Sequence, residues 1–167
     1  MSLKKGDFML FSKKDKASDL LAVADGEIVP LEKVPDEAFS SGVLGVGFAV
    51  LPSSGVIHSP ADGKIESVTE TGHAYTLLTE DGLDVLIHVG IDTVELRGEG
   101  FLTLVHEGQT VKAGDVLARV DLEVLRQHGL ATHVPVLVTN PERLAKHDVR
   151  CGRVQGGKSR AMTYRIG

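Results

Sequence analysis

A chain of 167 residues that is 42% hydrophobic and 25% charged has the size and composition of one globular unit with a packed core, which argues against a disordered protein. Its net charge of -5 removes the diffuse basic field that holds a polyanion, so nucleic acid is not expected as a partner and a basic protein surface is favoured. The single cysteine, Cys151, excludes an intrachain disulfide and a cysteine-based zinc site, and points to a reducing compartment.

Residues 1–19 read as a flexible basic tail, with Phe8, Met9, Leu10 and Phe11 flanked by Lys4, Lys5, Lys13, Lys14 and Lys16. A solvated tail of this kind is suited to weak contact with an anionic membrane. No apolar run approaches the roughly 20 residues that cross a bilayer, and the start lacks a secretory pattern, so a cytoplasmic location is expected.

Residues 20–167 are expected to form a single β domain. Short runs of Val, Ile, Leu and Thr alternate with punctuation at Asp25-Gly26, Pro52, Asp62-Gly63, Asp81-Gly82 and Gly114-Asp115. They predict strands over 20–24, 27–31, 46–51, 63–69, 74–79, 83–89, 101–105, 116–120, 134–139 and 161–166, an all-β antiparallel sandwich or barrel. Three short helical pieces are predicted: one turn over Asp36–Phe39 after Pro35, a helix over Leu122–His128 capped by Asp121, and another over 141–147 opened by Pro141. The segments Ser59–Lys64 and Glu107–Asp115 share a glycine-rich, turn-like character.

The most informative stretch runs from Thr71 to Val94. It reads as two strands joined at Asp81-Gly82, a dipeptide suited to a two-residue type I′ turn. That loop pairs Glu80 with Leu83 and sets His88 opposite Tyr75. Alternation then makes His73 a diagonal neighbour of His88, at a Cα separation of ~7–8 Å. A loop one residue longer moves His73 to the opposite face, so the inference depends on turn type. The same parity groups Tyr75, Leu77, Leu86 and His88 on one surface and Val85, Ile87 and Val89 on the other. With the all-apolar side as core, Tyr75, Leu77 and Leu86 become an exposed patch suited to docking another protein.

A neutral imidazole nitrogen is a nucleophile near pH 7 and accepts a phosphoryl group without a deprotonation step. Phosphoryl transfer asks mainly for positioning and charge stabilisation, which a second histidine donating to phosphate oxygens helps supply. Thr71, two residues before His73, is placed to fix its tautomer. Spacing alone does not separate this pair from two partly buried structural histidines. His58, His106, His128, His133 and His147 are assigned to ordinary structural roles.

The segments Gly72-His73-Ala74 and Ile87-His88-Val89-Gly90-Ile91-Asp92-Thr93-Val94-Glu95-Leu96, followed by Gly98-Glu99-Gly100-Phe101, resemble the glucose-type enzyme IIA family of the bacterial phosphoenolpyruvate-dependent sugar phosphotransferase system. Further blocks extend the likeness: Gly26–Val29, Val34–Asp36, Pro60–Ile65, Gly108–Asp115 and Pro135–Asn140. The resemblance implies an antiparallel β-sandwich of the duplicated hybrid motif type and a phosphotransferase that works through a phosphohistidine. His88 is then the phosphoacceptor, His73 the supporting histidine and Thr71 its hydrogen-bond partner. The resemblance also implies phosphate arriving from the histidine-containing phosphocarrier protein and leaving to a cysteine on the sugar-specific B component, with no cofactor. Asp36 and Asp92 match acidic positions that flank the site, and the expected partner face takes in Phe39 and Val94 beside Tyr75, Leu77 and Leu86. Three departures bear on partner preference: Gly72 where many relatives carry Asn, Gly45-Val46-Gly47 in place of Gly-Asp-Gly, and a rim poorer in phenylalanine.

Rival readings are a zinc-dependent peptidase, from the His88-x-x-x-Asp92 spacing, a biotinyl- or lipoyl-type carrier, from the glycine-rich turns, and a regulatory binding protein using the same face. Zinc hydrolysis normally takes three protein ligands, and the His-x-His pair that supplies the third in such peptidases does not occur here. No resident metal is therefore expected, although His73 and His88 are open to one that brings a partner ligand. The lysine between methionines of the second class does not occur either.

Overall fold

The computed structural model describes residues 16–167; the tail expected over 1–19, with its membrane contact, lies largely outside the described residues. In chain order the elements are β1 (Ser18–Leu21), β2 (Gly26–Pro30), α1 (Glu37–Ser40), β3 (Val46–Pro52), β4 (Val56–His58), β5 (Gly63–Val68), β6 (Ala74–Thr79) and β7 (Asp84–His88). They continue with β8 (Phe101–Thr103), β9 (Thr110–Val111), β10 (Val116–Val120), α2 (Leu122–Gln127), β11 (Val134–Val138), β12 (Leu144–Val149), β13 (Gly152–Val154) and β14 (Arg160–Ile166). An eight-stranded sheet runs β13-β2-β3-β11-β7-β6-β5-β9, and two three-stranded sheets run β1-β14-β12 and β4-β10-β8. Every strand pairing is antiparallel.

The main core follows from strand alternation. Val85 and Ile87 on β7, Tyr75 and Leu77 on β6, Val136 on β11 and Phe48 on β3 all point the same way and are fully buried. The other face of the large sheet carries Leu86, His88 and Leu137. It is partly roofed by a 3-10 turn at Leu31–Lys33 and by α1, whose Asp36 caps the helix by accepting from the Ala38 N–H at 2.8 Å. Leu31, Val34 and Phe39 close there on Ala49, Ile91 and Leu137 as a second, smaller cluster.

The hairpin between β6 and β7 differs from the expected one by one residue. Ala74, not Tyr75, lies opposite His88, and Leu77 faces Val85. The Thr79 hydroxyl accepts the Leu83 N–H at 2.9 Å and donates to Asp81 at 2.6 Å. Thr79 and Leu83 therefore close a three-residue loop over Glu80, Asp81 and Gly82. The longer loop flips β6 by one face. Tyr75 and Leu77, expected on the docking patch, are each 0% exposed and belong to the core.

Pro141 opens only a 3-10 turn, Pro141–Arg143, and the helix predicted to reach 147 gives way to β12, which pairs with β14. Pairing along that edge overrides a local helical preference. The short strands β4, β9 and β13 were beyond sequence periodicity, since two or three residues carry no period. β1 begins at Ser18, two residues before the expected start of the domain. The two glycine-rich turns meet: Ser59 N–H donates to Asp115 O and Gly114 N–H to Ser59 O, both at 2.8 Å.

Candidate functional site

His88 ends β7 on the roofed face of the large sheet, and His73 sits in the bend just before β6. The corrected register would send a regular strand residue at 73 to the core side. His73 escapes that rule because the chain turns at Gly72, with φ 75, and strand alternation starts only at Ala74. The two rings end 5.3 Å apart between centroids, inclined at 75°. Both residues are partly exposed.

The ring nitrogens have defined partners. His88 Nδ1 lies 2.7 Å from the carbonyl oxygen of Gly90. A carbonyl only accepts, so the neutral ring carries its hydrogen on Nδ1 and leaves the Nε2 lone pair free. His73 Nδ1 lies 2.9 Å from Thr71 Oγ1 and 3.3 Å from Thr69 Oγ1. Thr69 Oγ1 also accepts from the backbone N–H groups of His73 and Ala74, at 3.1 and 3.0 Å. Sequence reasoning missed Thr69; a threonine four residues ahead of a pre-strand histidine was the available signal.

Gly90 is the other residue without an assigned role. Its φ is 80, and a Cβ there would lie 2.4 Å from Thr93 Cγ2 and 2.8 Å from Leu125 Cδ2. Only glycine lets the chain turn here and aim its carbonyl back at His88.

Burial holds the His73 imidazole below its ordinary range, and the neighbouring His88 lowers it further. Burial lowers His88 too, opposed by the Gly90 carbonyl and by the carboxylates of Asp36 and Asp92. Both rings are therefore neutral at pH 7, the state a nucleophile needs.

Of the residues expected to meet partners, Asp36 and Asp92 lie near enough to act on His88 through their charge, Leu86 shares its face of the sheet, and Val94 is 56% exposed. Phe39 does not present itself to solvent. It is 5% exposed and packs on His88, ring centroids 5.1 Å apart, so it floors the site. Val43 at 77% and Leu44 at 41% exposure, between α1 and β3, add apolar surface that the sequence reading did not single out. Among the described residues no three His, Cys, Asp or Glu side chains converge on a metal position, and no helix is long and apolar enough to cross a membrane.

A family described as "phosphoenolpyruvate-dependent sugar phosphotransferase system, EIIA 1" matches residues 18–144. The chain is 38% identical over 148 residues to the protein named PTS system glucose-specific EIIA component of Borreliella burgdorferi, covering 89% of this chain and 78% of that protein. It is 44% identical over 131 residues to the PTS system glucose-specific EIICBA component of Streptococcus pneumoniae, covering 78% of this chain but only 18% of that longer protein. Among solved structures, glucose permease IIA from Mycoplasma capricolum superposes with a TM-score of 0.79 at 37% identity, over 88% of this chain and 96% of that one. On this profile match, these identities and a shared β-sandwich, the chain belongs to the EIIA 1 family of the phosphoenolpyruvate-dependent sugar phosphotransferase system.

Proposed function

We propose that this protein carries a phosphoryl group on Nε2 of His88 during sugar uptake, with His73 steadying it. The observation that carries the reading is the convergence of two neutral, partly exposed imidazoles, 5.3 Å apart, whose Nδ1 atoms are both engaged by fixed partners. In the first step the Nε2 lone pair attacks phosphorus on the histidine-containing phosphocarrier protein, and the donor's N–P bond breaks with its electron pair returning to the donor ring. In the second, a cysteine thiolate of the sugar-specific B component attacks, and the N–P bond at His88 breaks. No cofactor enters either step.

The Thr71 hydroxyl donates to His73 Nδ1 in this scheme, which leaves the ring hydrogen on Nε2 to meet phosphoryl oxygens. Asp36 and Asp92 greet a basic partner, while Leu86, Val94, Val43 and Leu44 form the apolar part of its landing surface. The names of the relatives support glucose or a close analogue as the sugar. The EIICBA relative carries A, B and C components in its name, which supports a B component as acceptor. The exchange takes place in the cytoplasm, where the phosphocarrier works, and residues from Ser18 onward act as one EIIA-like unit.

Incubation with the general phosphotransferase proteins and phosphoenolpyruvate should give an acid-labile phosphate that is absent in His88→Ala. His73→Gln should still accept phosphate and pass it on poorly, by a factor of about 10²–10³. A phosphate that survives His88→Ala ends the proposal.

A further inference from the structure

We propose that Tyr75 and Thr103 are positioning residues for His73, clamping the peptide group that precedes it. Tyr75 was expected at a docking surface, yet its ring is buried and its hydroxyl donates to the Gly72 carbonyl at 3.0 Å. That hydroxyl also lies 2.9 Å from Thr103 Oγ1 on β8. A phenol has one hydrogen, and the carbonyl takes it, so Thr103 is the donor to the Tyr75 oxygen. The result is a directed chain, Thr103 to Tyr75 to Gly72, of the kind in which each bond polarises the next.

The Gly72 carbonyl belongs to the same peptide unit as the His73 N–H, which donates to Thr69 Oγ1 at 3.1 Å. Two side-chain hydroxyls therefore hold one peptide plane at both ends. That plane sets where the His73 Cα stands, and hence where its ring meets His88. Gly72 makes the approach of Thr103 feasible, because a Cβ at residue 72 would lie 2.5 Å from Thr103 Oγ1. The device joins β8, in a separate three-stranded sheet, to the bend that carries the supporting histidine.

The proposal rests on the role given to His73 above, and the test keeps the two apart. Tyr75→Phe removes one oxygen and keeps the ring. Thr103→Val removes the donor from a half-buried edge position and serves should Tyr75→Phe fold poorly, while Thr103→Ser keeps the hydroxyl. The readouts are the rate of phosphoryl passage from His88 to the B component and the ¹⁵N resonances of the His73 ring in folded protein, which a mere loss of stability does not move. We expect passage to fall on the order of ten-fold in Tyr75→Phe and less in Thr103→Val, with His73 resonances shifted in both and parental in Thr103→Ser. Parental rates and parental His73 resonances in both Tyr75→Phe and Thr103→Val overturn the proposal. Should His73→Gln pass phosphate at the parental rate, the role of His73 falls; shifted His73 resonances in Tyr75→Phe would still uphold the clamp.

Discussion

His88 donates its Nδ1 hydrogen to the carbonyl oxygen of Gly90, two residues along the chain, at 2.7 Å. This one bond selects the tautomer that leaves the Nε2 lone pair free, and it need not break for Nε2 to take the phosphoryl group proposed above. The expected product is thus the Nε2-phosphorylated ring. Two-dimensional ¹H–¹⁵N spectra of phosphorylated protein distinguish the two ring positions, and phosphate on Nδ1 would contradict the assignment.

The same carbonyl depends on glycine. At φ 80, with Thr93 and Leu125 already filling the space of a Cβ, Gly90→Ala combines left-handed strain with overpacking. A loss of roughly 2–4 kcal/mol is expected. Urea denaturation measures it, and a midpoint equal to the parent would mean the loop relaxes freely.

His88 is lowered mainly by burial, with Asp36 and Asp92 pulling upward. Protonation removes the lone pair, so the rate of phosphate acceptance should fall only as pH drops below about 6.5, the ordinary histidine value. Removing a carboxylate lowers the midpoint further. Asp92→Asn, at a left-handed residue with φ 60 that asparagine tolerates, and Asp36→Asn, which keeps a helix cap, should each move the pH–rate profile toward acid. A shift toward alkali would reverse the electrostatic argument. His73 is lowered too. Unfolding releases both rings to bind protons at their ordinary value, so this part of the stability is present above about pH 6.5 and is lost as pH falls through the lowered folded values.

Thr71 Oγ1 stands 2.9 Å from His73 Nδ1. Thr71→Ser keeps that donor and should transfer phosphate nearly as the parent does. Thr71→Val keeps the shape without the donor, and a reduction of about ten-fold is expected in onward transfer. Stopped transfer assays with the B component compare the two; equal rates would remove Thr71 from the site.

Phe39 is buried in the second cluster, where its expected part is packing. Phe39→Ala should lower stability by about 3 kcal/mol, whereas Phe39→Leu should cost less than about 1.5 kcal/mol. Calorimetry on the isolated chain decides this without any partner present. A fully stable Phe39→Ala would return the residue to the docking face.

Much of this was legible in the residues. Alternating apolar runs between Gly and Pro marked most strands, Asp36 and Asp121 marked the two helix starts, and His73 and His88 stood out as a pair. These signals are local: a cap, a period of two, a turn dipeptide. What the tertiary structure alone decided is non-local. Asp81-Gly82 suggested a two-residue loop, but the Thr79 side chain took the Leu83 N–H and lengthened it, so Tyr75 and Leu77 turned inward. By that parity His73 would have left His88. It stays because it lies in the bend ahead of β6, where pleating does not apply and the hydroxyls of Thr69 and Tyr75 hold the backbone instead. β12 likewise became a strand only because β14 offered it an edge. A sequence states which segments can pleat, whereas register depends on which hydrogen-bond partner wins at a single turn, and one residue's difference exchanges core for surface.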